Sequence, residues 1–128
     1  MTDLVAFGKA LADPTRVRIL SALLQSELCV CEMVDALAVS QSSLSSHLQI
    51  LRNAGMVRTE KRRTWIIYSI TTEARPAVEM AFGHFKPDSD ALAADNARLH
   101  NRILLRVDGC CVVGFSTANP TEETLHVN

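Results

Sequence analysis

The chain has 128 residues, 48% of them hydrophobic and 21% charged, with a formal net charge of -1. That length sets one domain with a modest core, and the composition is that of a soluble globular protein rather than a disordered or membrane-embedded one. It excludes a uniformly basic nucleic-acid coat but leaves room for a local basic surface. The start, Met1-Thr2-Asp3-Leu4, carries no basic and then apolar leader. No apolar run approaches the ~20 residues that span a bilayer, so the expected address is the cytoplasm, with no membrane partner. Thiols stay reduced there. Four cysteines in two tight pairs, Cys29/Cys31 and Cys110/Cys111, therefore point to metal or redox chemistry rather than a disulfide framework.

In chain order, residues 3 to about 12 read as a short helix with Leu4, Val5, Phe7 and Leu11 available for packing. Asp13 then caps a second helix that opens on Pro14 and carries Val17, Ile19, Leu20, Leu23 and Leu24. A third helix is expected from about Cys29 to Ala38, with Met33, Val34 and Leu37 facing inward. Ser40 caps a fourth, from residue 41 to about 54, closed by Gly55 as its C′ residue. At residues 56–60 and 64–70 the period changes to that of two strands, around a basic tip Lys61-Arg62-Arg63. Glu73 to Phe85 is helical with Ala77, Val78, Met80, Ala81 and Phe82 on its sticky face. Pro87 breaks it, and a last helix covers about Asp90 to Arg106. The expected fold is α+β, mostly α: a winged helix-turn-helix with extra N- and C-terminal helices over residues 1–106. A C-terminal tail with vicinal cysteines follows over residues 107–128.

The fourth helix puts Leu44, Leu48 and Leu51 on one face and Ser42, Ser45, Ser46, Gln49 and Asn53 on the other. So many short polar side chains make a poor helix by propensity, but they suit base edges in a major groove. Gln41 and Ser43 stand at its start, and His47 lies between the faces, where packing and phosphate contact are equally open. Five basic residues (Arg52, Arg58, Lys61, Arg62, Arg63) face one acid, Glu60, between residues 52 and 63. This cluster would draw on phosphate contact and counterion release. The expected DNA-binding set is Gln41, Ser42, Ser43, Ser45, Ser46, His47, Gln49, Arg52, Lys61, Arg62 and Arg63, and the partner is double-stranded operator DNA. Catalytic constellations are not legible: there is no Gly-rich phosphate loop, Ser/His/Asp set or paired-carboxylate set.

Three segments resemble the ArsR/SmtB metalloregulatory repressors. They are Leu11-Ala12-Asp13-Pro14-Thr15-Arg16-Val17-Arg18-Ile19-Leu20, Ser40-Gln41-Ser42-Ser43-Leu44-Ser45-Ser46-His47-Leu48, and Leu51-Arg52-Asn53-Ala54-Gly55-Met56-Val57. The resemblance covers roughly residues 3–85. It implies that the extra N- and C-terminal helices are dimerisation helices, in a homodimer joined through the first and fifth helices, which releases DNA when its metal binds. Within it, Glu27-Leu28-Cys29-Val30-Cys31 is similar to the third-helix site of sensors for arsenite, antimonite, cadmium and lead. The arsenite version carries a third cysteine three positions on, where this chain has Val34.

In a regular helix, side chains two residues apart point ~200° away from each other. Cys29 and Cys31 could share one ion only if the first turn unwinds or starts later, and such a distortion would couple ligation to DNA release. A helix N-terminus favours the thiolate. Two thiols suit neither pyramidal arsenic(III) nor tetrahedral zinc. Cys110 or Cys111, with Cys111 preferred, is the expected third donor, from the same or the partner subunit. Arsenic(III) or antimony(III) then fits three soft sulfurs, with cadmium(II) or lead(II) as alternatives. Against this stand burial of Cys110 and Cys111 beside Val112 and Val113, a thiol redox sensor on the same fold, and a constitutive DNA-binding protein. Glu27, Glu32 and Asp35 read as solvated helix-end charges, with Glu27 and Glu32 able to cap. His84, Asp88, Asp90 and His100 read as surface residues, because their spacing does not match a fifth-helix Asp/His site.

Overall fold

The structure is a computed structural model that describes residues 3–85, 87 and 89–107. Cys110, Cys111 and the expected tail beyond residue 107 lie outside the described residues. Six helices and three strands follow in the order α1 (Leu4–Ala10), α2 (Pro14–Gln25), β1 (Leu28–Cys29), α3 (Val30–Leu37), α4 (Gln41–Asn53), β2 (Val57–Arg62), β3 (Trp65–Ile70), α5 (Arg75–His84) and α6 (Ser89–Ile103). This is the winged helix-turn-helix expected from the pattern, with α1, α5 and α6 added.

Local chemistry sets the boundaries. The Asp3 side chain accepts from the Ala6 amide, and Asp13 accepts from the amides of Thr15 and Arg16 with Pro14 opening the helix. Arg16 folds back to donate to the carbonyls of Ala10 and Lys9, at 2.8 and 3.0 Å, which satisfies the end of α1. Ala38 adopts the left-handed conformation (φ 54°) and turns the chain from α3 toward α4. Ser40 caps α4 through the Ser43 amide, 3.2 Å away. Gly55, at φ 77°, closes α4: its amide donates to Arg52 and that of Met56 to Leu51, a Schellman ending.

Among the described residues the main core is one cluster, beside a smaller one around Cys29 and Cys31. Ile19, Leu20 and Leu23 of α2, Met33 and Leu37 of α3, Leu44, Leu48 and Leu51 of α4, Val78 of α5 and Leu99 of α6 are all buried in the main cluster. The leucine stripe expected on α4 is therefore the seam that seats the helix, and it turns the serine-rich face outward.

Two boundaries differ from expectation. The hairpin does not have Lys61-Arg62-Arg63 at its tip. Lys61 and Arg62 belong to β2, paired with Ile66 and Trp65, and the turn is Arg63-Thr64 with Arg63 at φ 56°. The third helix starts one residue later than expected. Leu28 and Cys29 instead form a short strand that pairs with Tyr68 and Ile67, giving an antiparallel sheet of order β1-β3-β2. A two-residue strand has no alternation to detect, so its partner creates it.

Candidate functional site

The later start of α3 decides the geometry of the thiols. Cys29 is the N-cap, extended at φ -88° and ψ 168°, and Cys31 is the second helical residue. Their Sγ atoms stand 3.0 Å apart. That exceeds the ~2.05 Å of a disulfide, so they are two thiols in contact. Both side chains are buried and pack against Trp65 and Ile67 of β3. Of the two conditions for shared ligation, an unwound first turn or a later start, the backbone shows the later start. Among the described residues no group of three or more His, Cys, Asp or Glu is placed to hold a metal ion. The pair alone offers two donors.

An ionic cage surrounds the pair. The Cys29 amide donates to Glu32 Oε1 at 3.1 Å, and Arg106 donates to both oxygens of Glu32, at 2.6 and 2.9 Å. Arg102 donates to Asp35, and its Nη2 lies 3.6 Å from Cys31 Sγ. Glu32 is 1% exposed. The expectation that Glu32 and Asp35 are solvated charges is therefore corrected: a buried carboxylate needs a paired cation, and Arg102 of α6 supplies one to Asp35 while Arg106, just past that helix, supplies one to Glu32. Capping by Glu32 holds. Glu27 pairs instead with Arg62, whose hydrogen bonds keep its carboxyl below the usual carboxylate range. The same contact raises the Arg62 guanidinium.

On the opposite side, Gln41, Ser42, Ser45, Ser46, Gln49 and Arg52 of α4 are exposed, and Ser43 is half-buried beneath the Ser40 cap. Gln49 donates to Asn53 at 2.9 Å, which holds its amide on the polar face. His47 is half-buried, with Nδ1 3.2 Å from Arg16 Nη1 and 3.9 Å from Asp13 Oδ1, so it ties α4 to the start of α2. Lys61 and Arg63 are exposed on the wing. Arg62 is turned away and committed to Glu27 and Glu60.

Of the second candidate set, His84 lies edge-on against Phe85, with ring centroids 4.7 Å apart. Asp90 and His100 are exposed, and Asp88 lies outside the described residues. An open apolar groove of about 770 Å³ separates α1 from α5, with Leu4, Met80 and Phe85 at 83%, 70% and 71% exposure.

Sequence reasoning missed Arg18, Asp95, Arg98, Arg102 and Arg106. The signal was available in the spacing of 98, 102 and 106, which places three arginines one turn apart on one helical stripe.

Comparison with known proteins agrees with this architecture. Residues 13–59 match the family model described as bacterial regulatory protein, arsR family. The arsenic resistance transcriptional regulator ArsR1 of Pseudomonas putida is 38% identical over 93 residues, 71% of this chain and 73% of that protein. The transcriptional repressor SmtB homolog of Synechocystis is 42% identical over 68 residues, 53% of this chain and 52% of its own length. Among solved structures, HlyU from Vibrio cholerae superposes with a TM-score of 0.58 at 38% identity, covering 63% of this chain and 89% of that one.

Proposed function

The chain belongs to the arsR family of bacterial regulatory proteins, and from that premise we propose that it is a thiol-controlled repressor. As a homodimer it holds double-stranded operator DNA and lets go when arsenic(III) or antimony(III) is captured by Cys29, Cys31 and one of Cys110 or Cys111. Its place of action is the cytoplasm; no described helix is long and apolar enough to cross a membrane. Arsenic in the name of the Pseudomonas relative supports the ion, and the clustered exposure of Leu4, Met80 and Phe85 along the α1–α5 groove supports the dimer.

The observation that carries this reading is the 3.0 Å contact between two buried thiols under the wing. The donor set is soft and fits two positions of a three-sulfur site. Arg106, held on Glu32 and on the Glu27 carbonyl, brings the chain back to the thiols within a few residues of the tail cysteines. Cys110 and Cys111 follow Arg106 by four and five residues, and four residues of extended chain reach at most about 13 Å.

Release follows from crowding. Two sulfurs bound to one ion at about 2.3 Å stand farther apart than they do here at any S–ion–S angle above ~80°. The pair must spread, and what lies against it is Trp65 and Ile67 of the wing and the first turn of α3. DNA contacts on Lys61, Arg63 and the polar face of α4 are then displaced together.

The same contact also favours a second reading, in which a peroxide oxidises both thiols to a Cys29–Cys31 disulfide and is reduced to water. Arsenite and peroxide titrations of one DNA complex separate the two. The first reading expects dissociation with arsenite at a stoichiometric dose and no comparable effect of peroxide. Dissociation with peroxide alone overturns it.

A further inference from the structure

Two arginines of α6, Arg98 and Arg102, and Arg106 just beyond its end form a ladder along α3, running antiparallel to it. Arg98 Nε donates to the Ala36 carbonyl at 2.8 Å, Arg102 reaches Asp35 and Cys31 Sγ, and Arg106 grips Glu32 and the Glu27 carbonyl. At the turn end the grip is doubled. Asp95, 3% exposed, accepts from Arg18 at 2.8 Å through both oxygens and from Arg98 at 2.8 Å, while Arg18 also donates to the Leu37 carbonyl. Two of the last carbonyls of α3 are thus satisfied by guanidiniums that one carboxylate on α6 holds in place. The next residues are Ala38, which makes the left-handed turn, and Ser40, which caps the recognition helix.

One rigid helix is therefore fastened to α3 at its thiol end and at its turn end. The polar face of α4 is exposed, so the influence of α6 on DNA passes through that turn. A displacement of Cys31 Sγ acts on the guanidinium of Arg102. That guanidinium lies one helical turn from Arg98, and α6 moves as a unit because its own hydrogen bonds resist bending.

We propose that α6 is the relay between the thiol pair and the helix-turn-helix turn, with Arg98 and Arg102 as positioning residues of the response. This inference rests on the thiol pair being the inducer site. It adds a route that bypasses the wing: occupancy at Cys31 shifts Arg102, α6 follows, and the Asp95–Arg98–Arg18 clamp changes its hold on Ala36, Leu37 and the turn after them. Arg98 touches neither thiol nor any candidate DNA contact, so it can be changed without touching either site.

The test uses full-length Arg98→Met and Arg98→Lys, with sodium arsenite as the ligand. The DNA is a duplex selected from a random pool with the wild-type protein. Arsenite affinity is read from the fluorescence of Trp65, the chain's single tryptophan, and DNA affinity from anisotropy with and without arsenite. Coupling between sites is a ratio of affinities, typically about 5–150-fold, and a merely structural residue leaves that ratio unchanged. Arg98→Met is expected to keep both individual affinities within about threefold of wild type and to bring the arsenite-induced change in DNA affinity down to less than about twofold, with Arg98→Lys in between. An unchanged ratio in Arg98→Met overturns the relay. In the wild-type protein, arsenite is also expected to alter amide hydrogen exchange at residues 38–41, and no change there overturns it even if Arg98→Met fails to fold. Absence of release from the wild type instead sinks the inducer-site reading, and with it the premise of the relay.

Discussion

The Glu32 carboxylate accepts the amide hydrogen of Cys29 at 3.1 Å, and that bond fixes where α3 begins. It satisfies an amide at the helix start and keeps Cys29 outside the helical turn, which is why its sulfur meets that of Cys31. Glu32→Ala removes the cap and leaves Arg106 without its main carboxylate. A loss of about 3 kcal/mol is expected from breaking a largely buried pair, measured as a lower urea midpoint with an unchanged slope. Glu32→Gln keeps a cap acceptor and falls between the two.

The wing divides its cations between two tasks. Lys61 and Arg63 are exposed, so Lys61→Ala and Arg63→Ala are each expected to weaken DNA binding and to lower the salt slope by about one unit. Arg62 is occupied by Glu27 and Glu60, so Arg62→Ala alone has the smallest effect of the three. Glu27→Gln removes the stronger of the two charges that hold Arg62, leaving Glu60, and is expected to tighten binding at low salt. Anisotropy titrations across a salt series measure all four.

Sulfur counting by X-ray absorption on the arsenite-loaded protein is expected to give three sulfur neighbours in the wild type and two in Cys111→Ser. Three in Cys111→Ser but two in Cys110→Ser would move the third donor to Cys110. Fluorescence of Trp65, packed on the thiol pair, reports the same titration.

Asp13 gives a pH-dependent contribution to stability. Burial pushes its carboxyl up, but the Arg16 amide, the neighbouring His47 and the Thr15 amide outweigh it and hold the group below the usual carboxylate range. A depressed folded value means that the stabilisation is complete above the unfolded pKa of about 3.9 and is lost as pH falls through the folded one. Asp13→Ala is expected to cost about 1 kcal/mol at neutral pH, whereas Asp13→Asn keeps the cap and loses this acid-range dependence. Thermal melts between neutral and acid pH check it.

The legible parts of the fold are those with local chemistry. Asp13-Pro14, Ser40 and Gly55 each mark a helix end with their own side chain or backbone preference, and the Leu44/Leu48/Leu51 stripe sets which face of α4 looks outward. What could not be read locally depends on long-range partners. Leu28-Cys29 is a strand only because Tyr68 and Ile67 lie beside it, and Glu32 is buried only because Arg106 arrives from 74 positions away. The ladder of Arg98, Arg102 and Arg106 had the right spacing, but spacing alone does not say whether such a stripe faces water or a second helix.

The most direct measurement is operator affinity with and without arsenite, for the wild type and for Cys29→Ser and Cys31→Ser. The account predicts that arsenite weakens wild-type binding at least about fivefold, within the range of allosteric coupling, while both serine variants keep DNA binding and ignore arsenite. Equal affinity of the wild type in both conditions, or release of either serine variant by arsenite, would contradict it.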